Sequence, residues 1–250
     1  MARDKRRADQ LVVDRGLADS RSRAQALIMA GAVYAGTQRV MKAGQQLAVD
    51  AELSVKGRDH PWVSRGGLKL APALDQFAVD PTGAVALDLG ASTGGFTDVL
   101  LQRGAARVYA VDVGHGQLAW KLRQDERVTV LERTNARNLT TEHVPEPVDL
   151  IVSDASFISL LTILPPALAL AAPGARLLAL IKPQFEVGKA RVGKGGVVRD
   201  PALHGEACEK IRAWLAAQPG WRVLGLEESA VTGPDGNREF LLAAIRDGQT

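Results

Sequence analysis

The sequence predicts an α/β protein with a mostly parallel, seven-stranded sheet, preceded by a small α+β module. Short apolar runs alternate with helical segments from residue 84 onward, which is typical of parallel strands joined by right-handed crossovers. The last two apolar runs have no helix between them, so we expect them to pair antiparallel. The predicted strands are 84–88, 107–111, 127–131, 148–153, 175–181, 222–228 and 239–245, and the predicted helices are 64–77, 95–102, 116–124, 157–171 and 202–217.

The N-terminal module is predicted from shorter elements and from its charge. Helices are expected at 8–15 and 21–30, the second capped by Asp19 and Ser20, with strands at 33–35, 46–49 and 53–55. Residues 1–60 carry 11 Lys and Arg against 7 Asp and Glu, whereas the rest of the chain carries 20 against 21. A basic module on a nearly neutral body favours an acidic partner, with nucleic acid the usual candidate, although a solubilising surface has the same charge.

The module resembles the S4 RNA-binding domain through Leu11…Arg15-Gly-Leu-Ala-Asp-Ser-Arg-Ser-Arg-Ala-Gln-Ala-Leu-Ile28…Gly31-Ala-Val33. The resemblance implies RNA contacts from Arg21 and Arg23 on the second helix, and from Arg3, Arg6 and Arg7 in the leading segment. The sequence departs from the family at Ala35-Gly36-Thr37, where an Asn-Gly or Asp-Gly turn is usual; Gly36 keeps a turn there, but its register stays open. A helix-turn-helix-like cap with a solvated basic face is the alternative. We expect an S4-like domain at 1–57, a linker at 58–63 and a second domain at 64–250.

Composition excludes several classes of protein. The chain of 250 residues is 46% hydrophobic and 24% charged, which is ordinary for a globular protein. Its one cysteine, Cys208, excludes an intrachain disulfide and a cysteine-based zinc site, and we expect no metal. The charged N-terminal segment does not have the pattern of a secretory signal, and the most apolar region, 160–181, is interrupted by prolines and Arg176. We therefore expect a cytoplasmic protein with no membrane contact.

A strand, a glycine-rich loop and a helix follow one another at Ala84-Val-Ala-Leu-Asp-Leu-Gly-Ala-Ser-Thr-Gly-Gly-Phe-Thr-Asp98. Glycines let the backbone approach a ligand closely, and the N–H groups at the start of the helix face whatever binds there. The next strand ends in Asp112, whose carboxylate can accept hydrogen bonds from a ribose diol. The predicted cofactor-binding residues are Asp88, Gly90, Ala91, Ser92, Thr93, Gly94, Phe96, Asp112, Asn135 and Ala136.

Three interpretations of this loop compete, beside a purely structural turn. A dinucleotide fold needs G-x-G-x-x-G, but Ser92 replaces the middle glycine. Gly90-Ala-Ser-Thr-Gly94 matches the nucleophile elbow G-x-S-x-G, but no His-Gly-Gly run lies upstream, and His204 is the only histidine after residue 143. The S-adenosylmethionine loop of a class I (Rossmann-like) methyltransferase is therefore favoured, and the antiparallel strand pair at the end of the chain is typical of that class.

Charged residues stand at the ends of the central strands. Asp154 follows the fourth predicted strand, Lys182 follows the fifth, and Glu239 begins the last. Asp and Lys are almost never buried unpaired, so their positions predict a polar site at one edge of the sheet. Asp154-Ala-Ser-Phe lacks the prolines expected of a site that methylates a base nitrogen. Lys182 instead suits a substrate hydroxyl, which it could deprotonate only in its neutral form.

At these positions the chain resembles the FtsJ-type ribose 2′-O-methyltransferases, which carry a Lys-Asp-Lys-Glu tetrad. The resemblance implies Lys69, Asp154, Lys182 and Glu239 as the catalytic residues, with Lys182 as the base. Glu227 and Glu228, on the neighbouring strand, are the competitors for the last place.

The match over residues 3–245 is closest to the TlyA family, known both as haemolysins and as ribosomal RNA cytidine 2′-O-methyltransferases. Its motifs include Ser64-Arg-Gly-Gly-Leu-Lys69, Glu132-Arg-Thr-Asn-Ala-Arg137, Ser156-Phe-Ile-Ser-Leu160 and Lys182-Pro-Gln-Phe-Glu-Val-Gly-Lys189. This resemblance implies RNA contacts from Arg65 and Lys189, S-adenosylmethionine as cofactor, and ribosomal RNA or ribosomal subunits as partner, with no obligate protein partner. A non-enzymatic ribosome-binding or assembly factor and a membrane-active haemolysin are the alternatives.

Overall fold

A computed structural model describes residues 5–18, 20–55, 60–233 and 235–248 of the protein. The chain divides into two compact units, Met1–Pro61 and Trp62–Thr250. Arg3 and Asp19, which carry two of the expectations above, lie outside the described residues. Within the described ranges, no helix combines the length and apolar character needed to cross a membrane.

The described residues of the N-terminal unit form two helices and five short strands. Its elements are β1 (Lys5–Arg7), α1 (Ala8–Asp14), α2 (Arg21–Met29), β2 (Val33–Ala35), β3 (Gln38–Arg39), β4 (Gln46–Ala48) and β5 (Leu53–Val55). Ser20 caps α2 by accepting the Arg23 N–H at 3.2 Å. A two-residue turn joins β2 to β3 and places Ala35 opposite Gln38, which settles the register left open by the sequence. β1 and β3 were not predicted, because Lys5–Arg7 and Gln38–Arg39 contain no apolar residue to indicate a strand.

The second unit is organised around one sheet. Its elements are α3 (Gly67–Gln76), β6 (Val85–Leu89), α4 (Gly95–Gln102), β7 (Arg107–Val111), α5 (Trp120–Arg123), β8 (Val128–Leu131), β9 (Val148–Ser153), α6 (Leu160–Ala169), β10 (Ala171–Ile181), α7 (Pro183–Glu186), α8 (Pro201–Ala216), β11 (Trp221–Glu228) and β12 (Phe240–Arg246). The seven strands lie in the order β11-β12-β10-β9-β6-β7-β8. The five from β10 to β8 are parallel, and β12 is antiparallel to both its neighbours. The predicted fold class, including the antiparallel final pair, is confirmed.

Helices cover both faces of this sheet, because successive strand residues point to opposite sides. On one face, Leu70 of α3 and Leu100 of α4 pack into a buried cluster. On the other face, Leu164 of α6 and Ile211 of α8 pack into a second cluster. Burying each such leucine or isoleucine stabilises the fold by about 1.5–3 kcal/mol. Both faces of the sheet are therefore packed against helices, and the ends of its strands are available to form a site.

Three helices begin later than the sequence predicts, and the one expected at 64–77 begins at Gly67. The helix expected at 116–124 begins only at Trp120, because the backbone before it turns to donate N–H groups to the Glu132 carboxylate, including Gln117 N–H at 3.2 Å. The helix expected at 157–171 begins at Leu160, where the Ser159 hydroxyl accepts the Leu161 N–H at 3.2 Å and caps it. The residues released from the latter two helices form loops at the carboxyl ends of the strands.

Candidate active site

Lys69, Asp154, Lys182 and Glu239 meet at the carboxyl edge of the parallel strands. β9 and β10 are parallel neighbours, so the residues that follow them, Asp154 and Lys182, emerge side by side. β12 runs antiparallel to β10 with Phe240 opposite Ile181, and this register places Glu239 at the same edge as Lys182. Lys69 arrives from α3. Topology alone therefore gathers residues that are far apart in the sequence.

These four side chains form one continuous charge network. Lys69 Nζ lies 2.6 Å from Glu239 Oε2 and 3.3 Å from Asp154 Oδ1, and Lys182 Nζ lies 2.6 Å from Asp154 Oδ1. The two lysines and Glu239 are buried, with side chains 8%, 7% and 1% exposed, whereas Asp154 is 20% exposed. Glu228, a competitor for the acidic position, pairs on the surface with Arg238 instead. Asp154 is thus the carboxylate through which the network reaches solvent.

The glycine-rich loop lies immediately beside this network. Gly90 has φ +83°, and a Cβ there would lie 2.7 Å from Ala155 Cα, so no larger residue fits between the loop and the backbone after Asp154. Ser92 also adopts a positive φ, +48°, which is uncommon for a residue with a side chain. A strained, glycine-dependent backbone at the end of a buried strand is a feature of functional loops.

Asp88 is fully buried beneath the loop. One of its carboxylate oxygens accepts the Thr97 N–H at 3.0 Å and the Thr97 hydroxyl at 2.7 Å, while the other has no partner among the described residues. Burial raises the pKa of Asp88 to about 7, and the hydrogen bonds from Thr97 oppose that rise only in part. Asp88 therefore fixes the start of α4 under the loop and does not reach its open face.

Asp112 organises the second wall of the site. Its two carboxylate oxygens accept the Ser92 N–H at 2.8 Å and the Gly114 N–H at 2.7 Å, which joins the glycine loop to the segment after β7. Each oxygen keeps a lone pair for a further donor. Asp112 can therefore still receive hydroxyl groups from a bound sugar.

A cavity of about 340 Å³ opens beside Asp112. Of the predicted cofactor-binding residues, Gly90, Ser92, Asp112, Asn135 and Ala136 line it. Residues that the sequence did not single out complete the wall: Val111, Val113, Gln117, Thr134, Ala155, Phe157, Ile158 and Ile163. Apolar side chains together with a carboxylate and an amide suit a flat ring joined to a sugar.

A second cavity, of about 270 Å³, opens onto three members of the charge network, Lys69, Asp154 and Lys182. Its lining includes Lys69 and Lys182, together with Arg65, Ala91, Thr93 and Phe96. Four residues line both cavities: Gly90, Ser92, Asp154 and Ser156. Of the predicted cofactor-binding residues, Asp88 and Gly94 line neither. The arrangement offers two adjoining compartments with a shared wall, as a transfer reaction between two bound molecules requires.

Two further residues shape the site and were missed by sequence reasoning. Glu132 anchors the loop before α5: the Gly116 N–H and the Arg123 guanidinium hold its pKa down to about 2. Phe157 stands at the mouth of the first cavity, 91% exposed, with φ +65° and its ring 5.2 Å from that of Phe185. Glu132 and Phe157 both lie in motifs noted above. Only Phe157, an aromatic residue three positions after Asp154, was a local indication of a binding site.

The predicted RNA-binding residues of the N-terminal unit differ in their surroundings. Arg7 and Arg21 both donate to the buried Asp9 carboxylate, at 3.0 and 2.9 Å, and Gln25 donates to it at 2.9 Å. Arg6 pairs with Asp14 at 2.8 Å on the surface. Arg23 is exposed, as is Lys189 in the second unit, and neither forms an ion pair with the described residues.

Comparison with known proteins identifies two families. A model of the FtsJ-like methyltransferases matches residues 62–246, and one of the S4 domain matches residues 6–53. "Putative rRNA methyltransferase YqxC" of Bacillus subtilis is 50% identical over 97% of this chain and 86% of its own. "16S/23S rRNA (cytidine-2'-O)-methyltransferase TlyA" of Mycobacterium tuberculosis is 50% identical over 94% and 88%.

A solved structure shows the same architecture. "Putative hemolysin from Streptococcus thermophilus" matches 98% of this chain and 90% of its own with 41% identity and a TM-score of 0.75. The TlyA resemblance seen in the sequence is confirmed. The chain belongs to the FtsJ-like methyltransferase family, in its TlyA branch, and carries an S4 domain ahead of the methyltransferase fold.

Proposed function

We propose that the protein transfers a methyl group from S-adenosylmethionine to a ribose 2′-hydroxyl of ribosomal RNA, with cytidine as the target nucleoside. The observation that carries the proposal is the Lys69–Asp154–Lys182–Glu239 network, whose Asp154 lies at the wall shared by two cavities. The names of the relatives in B. subtilis and M. tuberculosis support an rRNA substrate, and the M. tuberculosis name specifies the cytidine 2′-oxygen.

The residues of the first cavity fit the proposed cofactor. A Cβ at Gly90 would collide with Ala155, so only glycine lets the loop lie against the backbone after Asp154 at the edge of this cavity. Asp112 would hold the ribose, and the apolar wall around Ile158 would hold the adenine, with Asn135 at its edge. When bound, the cofactor supplies a methyl group on a sulfonium, which needs only a correctly placed nucleophile.

The charge network would prepare that nucleophile. A ribose hydroxyl entering the second cavity must lose its proton as it attacks, and Lys182 is the proposed acceptor. Asp154 fixes the amine of Lys182 through its carboxylate and its backbone carbonyl, at 2.6 and 2.9 Å. Lys69, held by Glu239, keeps a positive charge on the other side of Asp154 and so balances the buried acids.

The N-terminal unit would dock the enzyme on its substrate. We propose that residues 1–57 form the RNA-binding domain, that 58–63 link it to the catalytic domain at 64–250, and that Arg3, Arg6, Arg7, Arg21 and Arg23 contact phosphates. Arg65, at the second cavity, and Lys189 would contact RNA near the reacting nucleotide. Ribosomal subunits are the proposed partner, because S4 domains bind structured RNA and the relatives are named for ribosomal RNA.

The test is transfer of labelled methyl from S-adenosylmethionine to purified ribosomal subunits and free rRNA, with Lys182→Ala beside the wild type. We expect label in RNA with the wild type only, and cofactor binding by both proteins. Cofactor binding without transfer to any ribosomal substrate would contradict the proposed RNA target. Failure of cofactor binding as well would favour a ribosome-binding factor, and dye release from liposomes would favour the haemolysin.

A further inference from the structure

Three oxygen atoms surround the Lys182 ammonium. Lys182 Nζ lies 2.6 Å from Asp154 Oδ1, 2.9 Å from Asp154 O and 2.8 Å from Ser156 Oγ. Two of its three donors are used in hydrogen bonds to Asp154 O and Ser156 Oγ, and Asp154 Oδ1 forms an ion pair with it. Asp154 contacts Lys182 through its charged carboxylate and through its backbone carbonyl, whose position is fixed by the chain. Among the hydrogen-bond and ion-pair partners of Lys182 in the described ranges, the hydroxyl of Ser156 is therefore the one neutral, rotatable group.

Ser156 also lies closer than Lys182 to where the methyl group must pass. The two cavities share Gly90, Ser92, Asp154 and Ser156, whereas Lys182 lines only the second. An oxygen that receives a methyl group from one cavity while its nucleotide sits in the other must stand at this shared wall. A hydroxyl at that place would lie beside Ser156, whose oxygen accepts a hydrogen bond from Lys182.

We infer that Ser156 is a positioning and proton-relay residue, through which Lys182 acts on the substrate hydroxyl. The inference rests on the proposed function. The 2′-hydroxyl passes its proton to Ser156 Oγ as Ser156 passes its own to the neutral amine of Lys182. The oxygen–methyl bond forms while the methyl–sulfur bond breaks, and the positive charge leaves the sulfonium and ends on Lys182. The three contacts in the structure are those of the ammonium that this step produces, and solvent removes its extra proton before the next turnover.

Three serine variants test the relay. Ser156→Ala removes the hydroxyl, Ser156→Thr keeps one, and Ser153→Ala is the matched control three residues earlier. Ser153 is buried on β9, and its hydroxyl has no hydrogen-bond partner among the described residues. Each variant is assayed on the full chain for kcat and KM with the ribosomal substrate that the wild type methylates, and for cofactor affinity and melting temperature.

We expect Ser156→Ala to lower kcat by about 100-fold, the lower range for a proton-transfer group, with KM, cofactor affinity and melting temperature unchanged. Ser156→Thr should recover at least about a tenth of wild-type kcat, and Ser153→Ala should match the wild type. A Ser156→Ala enzyme within about threefold of wild-type kcat would overturn the relay. Equal losses in the Ala and Thr variants would also overturn it, because the hydroxyl would then not be the cause. If the wild type itself transfers no methyl, the proposed function fails, and not this inference alone.

Discussion

In each unit, one aspartate is paired with two cationic side chains. The two units differ in which partner is buried and which is exposed. In the catalytic unit the cations are buried lysines and the aspartate, Asp154, is the more exposed partner at 20%. In the N-terminal unit the aspartate, Asp9, is fully buried, and its arginines are 40% and 52% exposed. The same pairing therefore presents a carboxylate to a cavity in one unit and guanidinium groups to solvent in the other.

This difference matches the two tasks proposed for the units. Arg21 uses only its Nε–H on Asp9, so its two terminal nitrogens stay available for a phosphate. Asp9 fixes the orientation of the Arg21 guanidinium group and neutralises only one of the two arginine charges. Lys69 and Lys182, by contrast, lie where water is largely excluded and electrostatic interactions are stronger. The first arrangement suits binding of a charged backbone, and the second suits a proton transfer.

The largest effect is expected from breaking the catalytic network at its centre. Asp154→Asn keeps the side-chain shape but removes the charge that holds both lysines, so we expect kcat to fall about 1000-fold, or roughly 4 kcal/mol. Single-turnover methyl transfer measures it, with Asp125→Asn, which loses a surface pair with Arg127, as control. A variant that retains wild-type kcat would show that the network has only a structural role.

A second test compares two buried aspartates with opposite pKa shifts, beginning with Asp88. Burial raises its pKa to about 7, above the unfolded value near 3.9. Between about pH 4 and pH 7 the folded state keeps a proton that the unfolded state loses, so stability falls as pH rises through this window. The loss is at most roughly 4 kcal/mol, because each pKa unit corresponds to about 1.4 kcal/mol.

Asp88→Asn should therefore flatten this pH dependence and stabilise the cofactor-free catalytic unit at pH 8. Hydrogen exchange of peptides from β6 and α4 at pH 5 and pH 8 measures the effect, with Asp75→Asn on the surface as control. If Asp88→Asn lowers stability equally at both pH values, the ionisation of Asp88 does not cause the pH dependence of stability.

The contribution of Asp9 to stability should change with pH in the opposite direction. The Arg7 guanidinium, with help from Gln25 and Arg21, holds the pKa of Asp9 well below its usual range. Its contribution to stability is present above the unfolded pKa near 4 and is lost as pH falls below it. Asp9→Asn should cost about 2 kcal/mol at pH 7, since charge-assisted hydrogen bonds are lost while both arginines stay half-exposed.

Hydrogen exchange in α1 and α2 measures this cost, and Asp14→Asn, the exposed partner of Arg6, is the control. Asp9→Asn should lower the protection factors of these helices at pH 7 to those of the acidified wild type. Unchanged protection at pH 7 would mean that Asp9 does not hold the unit together.

The smallest effects are expected at the exposed arginines. Arg21→Ala and Arg23→Ala should each weaken RNA binding about tenfold, with cofactor affinity unchanged. Each should also reduce the slope of log affinity against log salt concentration by about one. Binding to rRNA at several salt concentrations measures this, beside Arg222→Ala in the catalytic unit as control. Equal losses of RNA and cofactor affinity would argue against a division of labour between the units.

Strand order and strand ends account for what the sequence could predict. Alternating apolar runs predicted the seven strands, and parallel strands end at one edge, so Asp154 and Lys182 had to be neighbours. The antiparallel pairing of β12 adds Glu239 to that edge. Lys69 came only from the family resemblance, because nothing in the pattern of a single helix says which of its polar residues turns inward.

Contacts between distant loops could not be predicted. The attachment of Arg7 and Arg21 to Asp9 joins β1, α1 and α2 through side chains that each look solvated in the sequence. Glu132 shortens a predicted helix by binding its N–H groups, a competition that periodicity does not reveal. Ser156 depends on a backbone that leaves β9 and crosses above Gly90, and this path exists only in three dimensions.

The position of the methyl group on the RNA would show whether the buried charge network acts on a ribose hydroxyl. Ribosomal RNA methylated by the wild-type protein would be digested to nucleosides and analysed by mass spectrometry against 2′-O-methyl and base-methyl standards. The Lys69–Asp154–Lys182–Glu239 network predicts a methyl group on the ribose 2′-oxygen, and none appearing with Asp154→Asn. A methyl group on the base would contradict the account, because a site built to deprotonate a hydroxyl would then be modifying a ring atom.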